Sequence, residues 1–229
     1  MNAAAGTAAA AGAPRLDLGI LVIDLKTRER MRLNGHAEVT PEGTLIVHAR
    51  EVYFNCPQYI QKRVIDQSVG SDETGTVGVT RGHALTSEQH VWISTADTFF
   101  VASAVPGGGA DASHRGGNPG FVRVRDASSL EWPDYSGNTM FNTLGNITVN
   151  PNAGLLFLNF EQGNTLQLTG QAAVVWEPER AARFPGAQRI VGFHIEQAIQ
   201  AAHAVPLHFR FLQYSRFNPS GTKDKKAPS

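Results

Sequence analysis

Two stretches decide the fold: GILVIDLKTRERMRLNGHAEV at residues 19–39 and GLLFLNFEQGNTLQLTGQAAV at residues 154–174. They align without a gap. Gly19 falls on Gly154, Leu21 on Leu156, Leu33 on Leu168, Gly35 on Gly170, Ala37 on Ala172 and Val39 on Val174. A match at so long an offset is the mark of a duplicated domain rather than of a short solenoid repeat. Each copy reads as a hairpin. Residues 18–26 are an apolar run ending at a polar Lys26-Thr27-Arg28-Glu29 turn. Residues 30–39 then alternate, with Met31, Leu33, Gly35, Ala37 and Val39 on one face and Arg30, Arg32, Asn34, His36 and Glu38 on the other. A period of two is that of a half-buried strand.

Working outward, Thr44 to Ala49 predicts a third strand and Pro57 to Arg63 a helix with Pro57 in its first turn. Residues 66–84 are rich in Gly, Ser, Asp and Thr and read as a linker. Thr86-Ser87-Glu88-Gln89 carries capping chemistry for a helix to about Ala96. Strands are expected at 99–105, 112–114, 121–125 and 130–133, and a helix at 139–148 that Asn150-Pro151 stops. The second hairpin spans 153–177, strands follow at 189–195 and 207–214, and a short helix is expected at 196–203. Many short antiparallel strands with few helices and no βαβ rhythm imply a mainly β, α+β architecture. The expected organisation is a disordered leader over 1–17, a partial first copy over 18–65, a linker over 66–84, a complete copy over 85–219 and a disordered tail over 220–229.

Composition narrows the function classes. Twenty basic residues balance twenty acidic ones, which does not point to a nucleic-acid or membrane surface. No apolar run approaches the roughly 18 residues of a membrane helix. The Ala/Gly-rich start, Met1 to Ala13, lacks the basic and apolar regions of a signal peptide. A single cysteine, Cys56, excludes an intramolecular disulfide and fits the reducing cytoplasm. Cys56 has no nameable base partner and reads as a buried structural thiol. The eight histidines are scattered, so no metal site is expected.

The densest polar cluster lies between residues 111 and 143. Arg115 stands among small residues that let a ligand approach the backbone. Ser113, Asn138, Asn142 and Thr143 offer both donors and acceptors. Such a set can cradle a phosphate and a heterocycle. It can equally be a Gly-rich hairpin loop with an exposed arginine.

The run Ser113-His114-Arg115-Gly116-Gly117-Asn118-Pro119-Gly120-Phe121-Val122-Arg123, with Trp132-Pro133-Asp134-Tyr135, Asn138, Met140-Phe141-Asn142-Thr143-Leu144-Gly145-Asn146 and Leu166-Gln167-Leu168-Thr169-Gly170, resembles the pyridoxamine 5'-phosphate oxidase-like family. More narrowly it resembles bacterial flavin-nucleotide-binding proteins, and Asn55-Cys56-Pro57-Gln58-Tyr59-Ile60-Gln61 resembles the segment that follows the first barrel in two-copy members. The resemblance covers residues 18–219.

The resemblance implies a six-stranded antiparallel split β-barrel that binds FMN, usually between two subunits of a homodimer. It places Ser113, His114 and Arg115 on the strand along the flavin, with Arg115 as the phosphate cation and Gly116 in the same cofactor-binding set. Asp134 and Tyr135 fall near the ribityl chain or ring, Asn138 belongs to the same cofactor-binding set, and Gln167 lies on the hairpin strand that reaches the flavin. Asn142 and Thr143 stand where relatives carry a Ser-Arg-Lys phosphate motif, so two cations are replaced by neutral side chains. Arg32 occupies the place of Gln167 in the first copy; it is either an exposed strand arginine or a contact to the cofactor across the interface. One flavin site per chain is expected, completed by the first copy or by a second chain. The implied function is an FMN-dependent oxidoreductase of unassigned substrate. The alternatives are a flavin-binding or structural module without turnover, or the same barrel binding another cofactor such as a tetrapyrrole.

Overall fold

The computed structural model describes residues 16–66, 78–137 and 140–220. It is mainly β and antiparallel, with short helices. Strands β1 (Leu16–Asp24), β2 (Glu29–Val39) and β3 (Leu45–Asn55) form a three-stranded sheet. After a turn come β4 (Lys62–Ile65) and β5 (Val79–Gly82), then helix α1 (Ser87–Thr95). Strands β6 (Thr98–Val105), β7 (Gly109–Gly116), β8 (Arg123–Asp126) and β9 (Ser129–Tyr135) follow, then helix α2 (Asn142–Val149). Strands β10 (Asn152–Leu158) and β11 (Thr165–Val175), the short helix α3 (Pro178–Ala181), β12 (Ala187–Ala201) and β13 (Phe209–Gln213) complete the order. The large sheet runs β7-β6-β10-β11-β12-β9-β8, with β5 added beside β12; β13 pairs with β4.

The two stretches that opened the sequence lie in the same register. Gly19 faces Asn34 in β1–β2, and Gly154 faces Thr169 in β10–β11. The next strand continues the likeness. A bulge falls between Asn34 and Gly35 against β3, and between Thr169 and Gly170 against β12. At both bulges only glycine fits. A Cβ on Gly35 would meet the His48 carbonyl oxygen at 2.0 Å, and one on Gly170 the His194 carbonyl oxygen at 1.9 Å.

The core lies in the second part of the chain. Phe99 is stacked on Phe157 with centroids 5.1 Å apart and meets the Trp132 edge at 5.3 Å, all three fully buried. Ile93, Leu130, Leu166, Leu168 and Ile195 close around them. The helix cap reads as the sequence predicts: Thr86 and Gln89 exchange the two bonds of a capping box. Among the described residues the first sheet has no such core. On its apolar face Val22, Val52 and Phe54 are 52%, 53% and 75% exposed. Its polar face is the one that turns inward, with Arg32 and Asn34 buried.

Several expected elements differ. Residues 57–61 form a turn and 62–65 a strand, because pairing with β13 supplies backbone partners that a short isolated helix lacks. Residues 79–82, inside the expected linker, are β5 and pair with Ala198–Ala201. Residues 67–77 of that linker, and the leader and tail up to 15 and from 221, lie outside the described residues. The helix expected over 196–203 is the second half of a 15-residue strand; ladders to β11 and β5 override local helix propensity. Helix α2 starts at Asn142, later than the spacing predicts.

Gly170→Ala is expected to cost about 3 kcal/mol, because backbone must move to admit the methyl group. Gly154→Ala, whose Cβ would sit at an ordinary 3.8 Å from the Ala102 side chain, should change stability by less than about 1 kcal/mol. Urea unfolding of the two variants checks the contrast.

Candidate functional site

A cavity opens where β2 crosses the end of β7. Its walls come from both parts of the chain: Arg30, Arg32, Asn55, Cys56 and Tyr59 from the first, and His114, Arg115, Asp134, Tyr135 and Phe141 from the second.

The seam beneath it is a buried polar knot. The close approach is possible because β1 carries Gly19, whose Cβ would lie 2.8 Å from the Asp111 Cα. Arg32 Nη1 donates to both Asp111 oxygens at 3.2 Å, and Asn34 donates to one at 3.4 Å. The Thr143 hydroxyl donates to Asp111 at 2.6 Å and lies 3.0 Å from Ser113 Oγ. One carboxylate thus ties β2, β7 and α2 together.

Above the knot the cavity is cationic. Arg30 Nη1 lies 3.1 Å from His114 Nδ1. A guanidinium only donates, so Nδ1 accepts and the His114 proton sits on Nε2. Burial, then the charges of Arg30 and Arg115, hold the His114 pKa well below the ordinary histidine value. Burial also lowers the Arg30 pKa to about 10, helped by Arg32 and Arg115. Among the described residues no carboxylate pairs with Arg30. Arg30 Nε, Arg115 Nε and His114 Nε2 are buried donors with no partner among the described residues. Arg115 reaches Asp134 at 3.5 Å, and Arg189 reaches the other Asp134 oxygen at 3.5 Å. Burial raises the Asp134 pKa despite these two cations. The aromatic wall is Tyr59 and Tyr135, centroids 5.0 Å apart. Burial, reinforced by Tyr59, pushes the Tyr135 hydroxyl up to about 12.

The structure brings together His114, Arg115, Gly116, Asp134, Tyr135 and Thr143 around the cavity. Ser113 is fully buried beneath it as a strut to α2. Asn142 turns aside to donate to the Tyr53 hydroxyl at 2.8 Å. Gln167 is exposed on β11, whose Leu166 and Leu168 point into the core, and does not line the cavity. Asn138 lies outside the described residues. Two expectations need correction. Arg32 is 7% exposed, not a surface arginine, because Asp111 neutralises it at the seam. Cys56 is half-buried and lines the cavity, since the turn after β3 carries it there. Arg30, Tyr59, Phe141 and Arg189 escape the sequence reading. Only the alternation of Arg30 with Arg32 on one strand face could have pointed to the first of them.

The family model for pyridoxamine 5'-phosphate oxidase matches residues 85–214, more than half of the chain. The chain belongs to the pyridoxamine 5'-phosphate oxidase family. This is a flavin-binding family, and the matched residues hold β6 to β13 and one side of the cavity. HupZ of Group A Streptococcus is 13% identical, over 60% of this chain and 100% of that chain, with a TM-score of 0.39. A putative pyridoxamine 5'-phosphate oxidase from Lactobacillus delbrueckii is 20% identical, over 51% and 94%, with a TM-score of 0.41. An FMN-binding protein from Syntrophomonas wolfei is 9% identical, over 48% and 80%, with a TM-score of 0.37. No curated protein matches the sequence. No helix among the described residues is long and apolar enough to cross a membrane.

Two outcomes test the seam. Asp111→Asn leaves Arg32 buried without a counter-charge and should cost about 3–5 kcal/mol in urea unfolding. For His114, the folded pKa lies below the unfolded one, so the unfolded chain gains the proton first as pH falls. Its contribution to stability is complete above about pH 6.5 and declines as pH falls below it. Unfolding of His114→Gln should therefore show a shallower loss between roughly pH 6.5 and 5 than the parent chain.

Proposed function

We propose that this chain is an FMN-binding protein with one flavin site, closed within a single chain, and that it acts as a flavin-dependent oxidoreductase. The observation that carries this reading is Arg30: a half-buried cation with no carboxylate partner among the described residues, lining the cavity with Arg115 and hydrogen-bonded to His114. A cavity that holds such charge in poor solvent is complementary to a dianionic phosphate. The three buried donors on Arg30, Arg115 and His114 that lack a partner among the described residues fit the same group.

Arg30 also answers the departure at Asn142 and Thr143. The cations that relatives place at the start of the helix are replaced here by an arginine from the first hairpin. In this reading the first hairpin is a duplicate of the second, and it takes the part that a second subunit plays elsewhere in the family. Arg30 and Arg115 hold the phosphate, His114 donates its Nε2 proton, and Tyr59, Tyr135 and Phe141 wall the ring. Asp134 keeps Arg115 and Arg189 in place. Bound FMN supplies hydride or electron transfer, while the protein holds and tunes the ring.

A homodimer belongs to the same reading, since the apolar face of the first sheet, with Val52 and Phe54 exposed, lacks a covering layer among the described residues. Cysteine usage favours the reducing cytoplasm.

Titration with FMN, followed by flavin fluorescence and sizing chromatography, is expected to give one flavin per chain. Arg30→Ala and Arg115→Ala should each weaken binding about 10- to 100-fold, the worth of a charge-assisted hydrogen bond. Unchanged affinity in both variants would reject the phosphate assignment. Anaerobic bleaching of the bound flavin by NADH or NADPH separates turnover from storage.

A further inference from the structure

The polar row on β2 continues past the cavity. Arg30, Arg32 and Asn34 are followed on the same face by His36 and Glu38. His36 lies about 20 Å along the strand from Arg30, so it is not part of the flavin site. The register against β3 sets His48 directly opposite His36. The two imidazole rings are stacked, centroids 4.6 Å apart and 9° from parallel. Glu38 Oε1 lies 3.9 Å from His48 Nε2. One ligand atom from each of the three residues falls within 4.8 Å of the others.

We propose that His36, Glu38 and His48 bind a divalent first-row transition-metal ion, with zinc as the natural probe. Two imidazoles and a carboxylate suit such ions, whereas calcium and magnesium favour all-oxygen sites. Three protein ligands with an open fourth position make a tetrahedral site that keeps a water. Ligand atoms about 2.0–2.1 Å from zinc stand about 3.3 Å apart. Half-exposed side chains reach that spacing from 4.8 Å or less by small rotations about χ1 and χ2. Both rings stand on one side of the ladder, and the stack opens as they turn so that the in-plane lone pairs converge on one ion.

The backbone alone does not produce this trio. The second hairpin carries the same bulge beside Gly170, and there Gln171 faces His194 while Ala173 stands in the place of Glu38. The ligand set belongs to the first hairpin only. The bulge at Gly35, immediately before His36, re-aims the local side chains. A bound ion would clip β3, an edge strand, to β2.

Zinc titration of the full chain against a chromophoric chelator tests the proposal. One equivalent is expected to bind, and His36→Ala and His48→Ala should each lower zinc affinity at least tenfold, since loss even of an outer-shell partner costs about that much. His194→Ala should leave it unchanged. Far-UV circular dichroism checks that the variants keep their sheet content. Cobalt substitution gives an independent readout: the visible d–d bands of a tetrahedral site appear in the parent chain and vanish in His48→Asn. Absence of zinc uptake, or uptake that neither His36→Ala nor His48→Ala weakens, overturns the assignment.

Discussion

The contact between Arg32 and Asp111 is the constraint on which the rest of the structure depends. Both groups are buried, and either alone would be an uncompensated charge in poor solvent. Together, with Asn34 and Thr143 bonded to the same carboxylate, they fasten the first hairpin to β7 and α2. Because strand residues two apart share a face, fixing Arg32 at the seam sends Arg30 into the cavity beside His114. The position of the cationic wall is therefore a consequence of the ion pair below it.

The same geometry explains the electrostatic character of the cavity. Asp111 is consumed by Arg32, and Asp134 is shared between Arg115 and Arg189. Among the described residues Arg30 is left without a carboxylate; its charge disfavours protonation of His114, while burial lowers its own proton affinity. In the proposed reading this surplus of buried donors receives a phosphate ester, with an arginine imported from another sheet rather than taken from the helix start.

Much of the architecture is legible in the residues themselves. The alternation of Met31, Leu33, Gly35, Ala37 and Val39 marks a strand, and the Thr86–Gln89 pair marks a helix start; both are local signals. The strand from Ala187 to Ala201 is not legible, because its second half is made a strand only by neighbours on both sides. Nor does alternation say which face turns inward. In the first hairpin the polar face is the buried one, since β7 offers it a carboxylate.

The candidate site divides the same way. His114, Arg115, Asp134 and Tyr135 stand in a motif whose spacing is short enough to be recognised along the chain. Gln167 stands on an equally recognisable strand but faces outward, because Leu166 and Leu168 claim the core side. Arg30 and Tyr59 come from segments far from the motif, and no periodicity joins them to it. The sequence by itself determined the hairpins, their shared glycines and the polar motif, since these rest on neighbours within a few residues. Only the tertiary structure decided which hairpin closes the cavity, because that choice depends on a buried charge finding its partner 79 residues away.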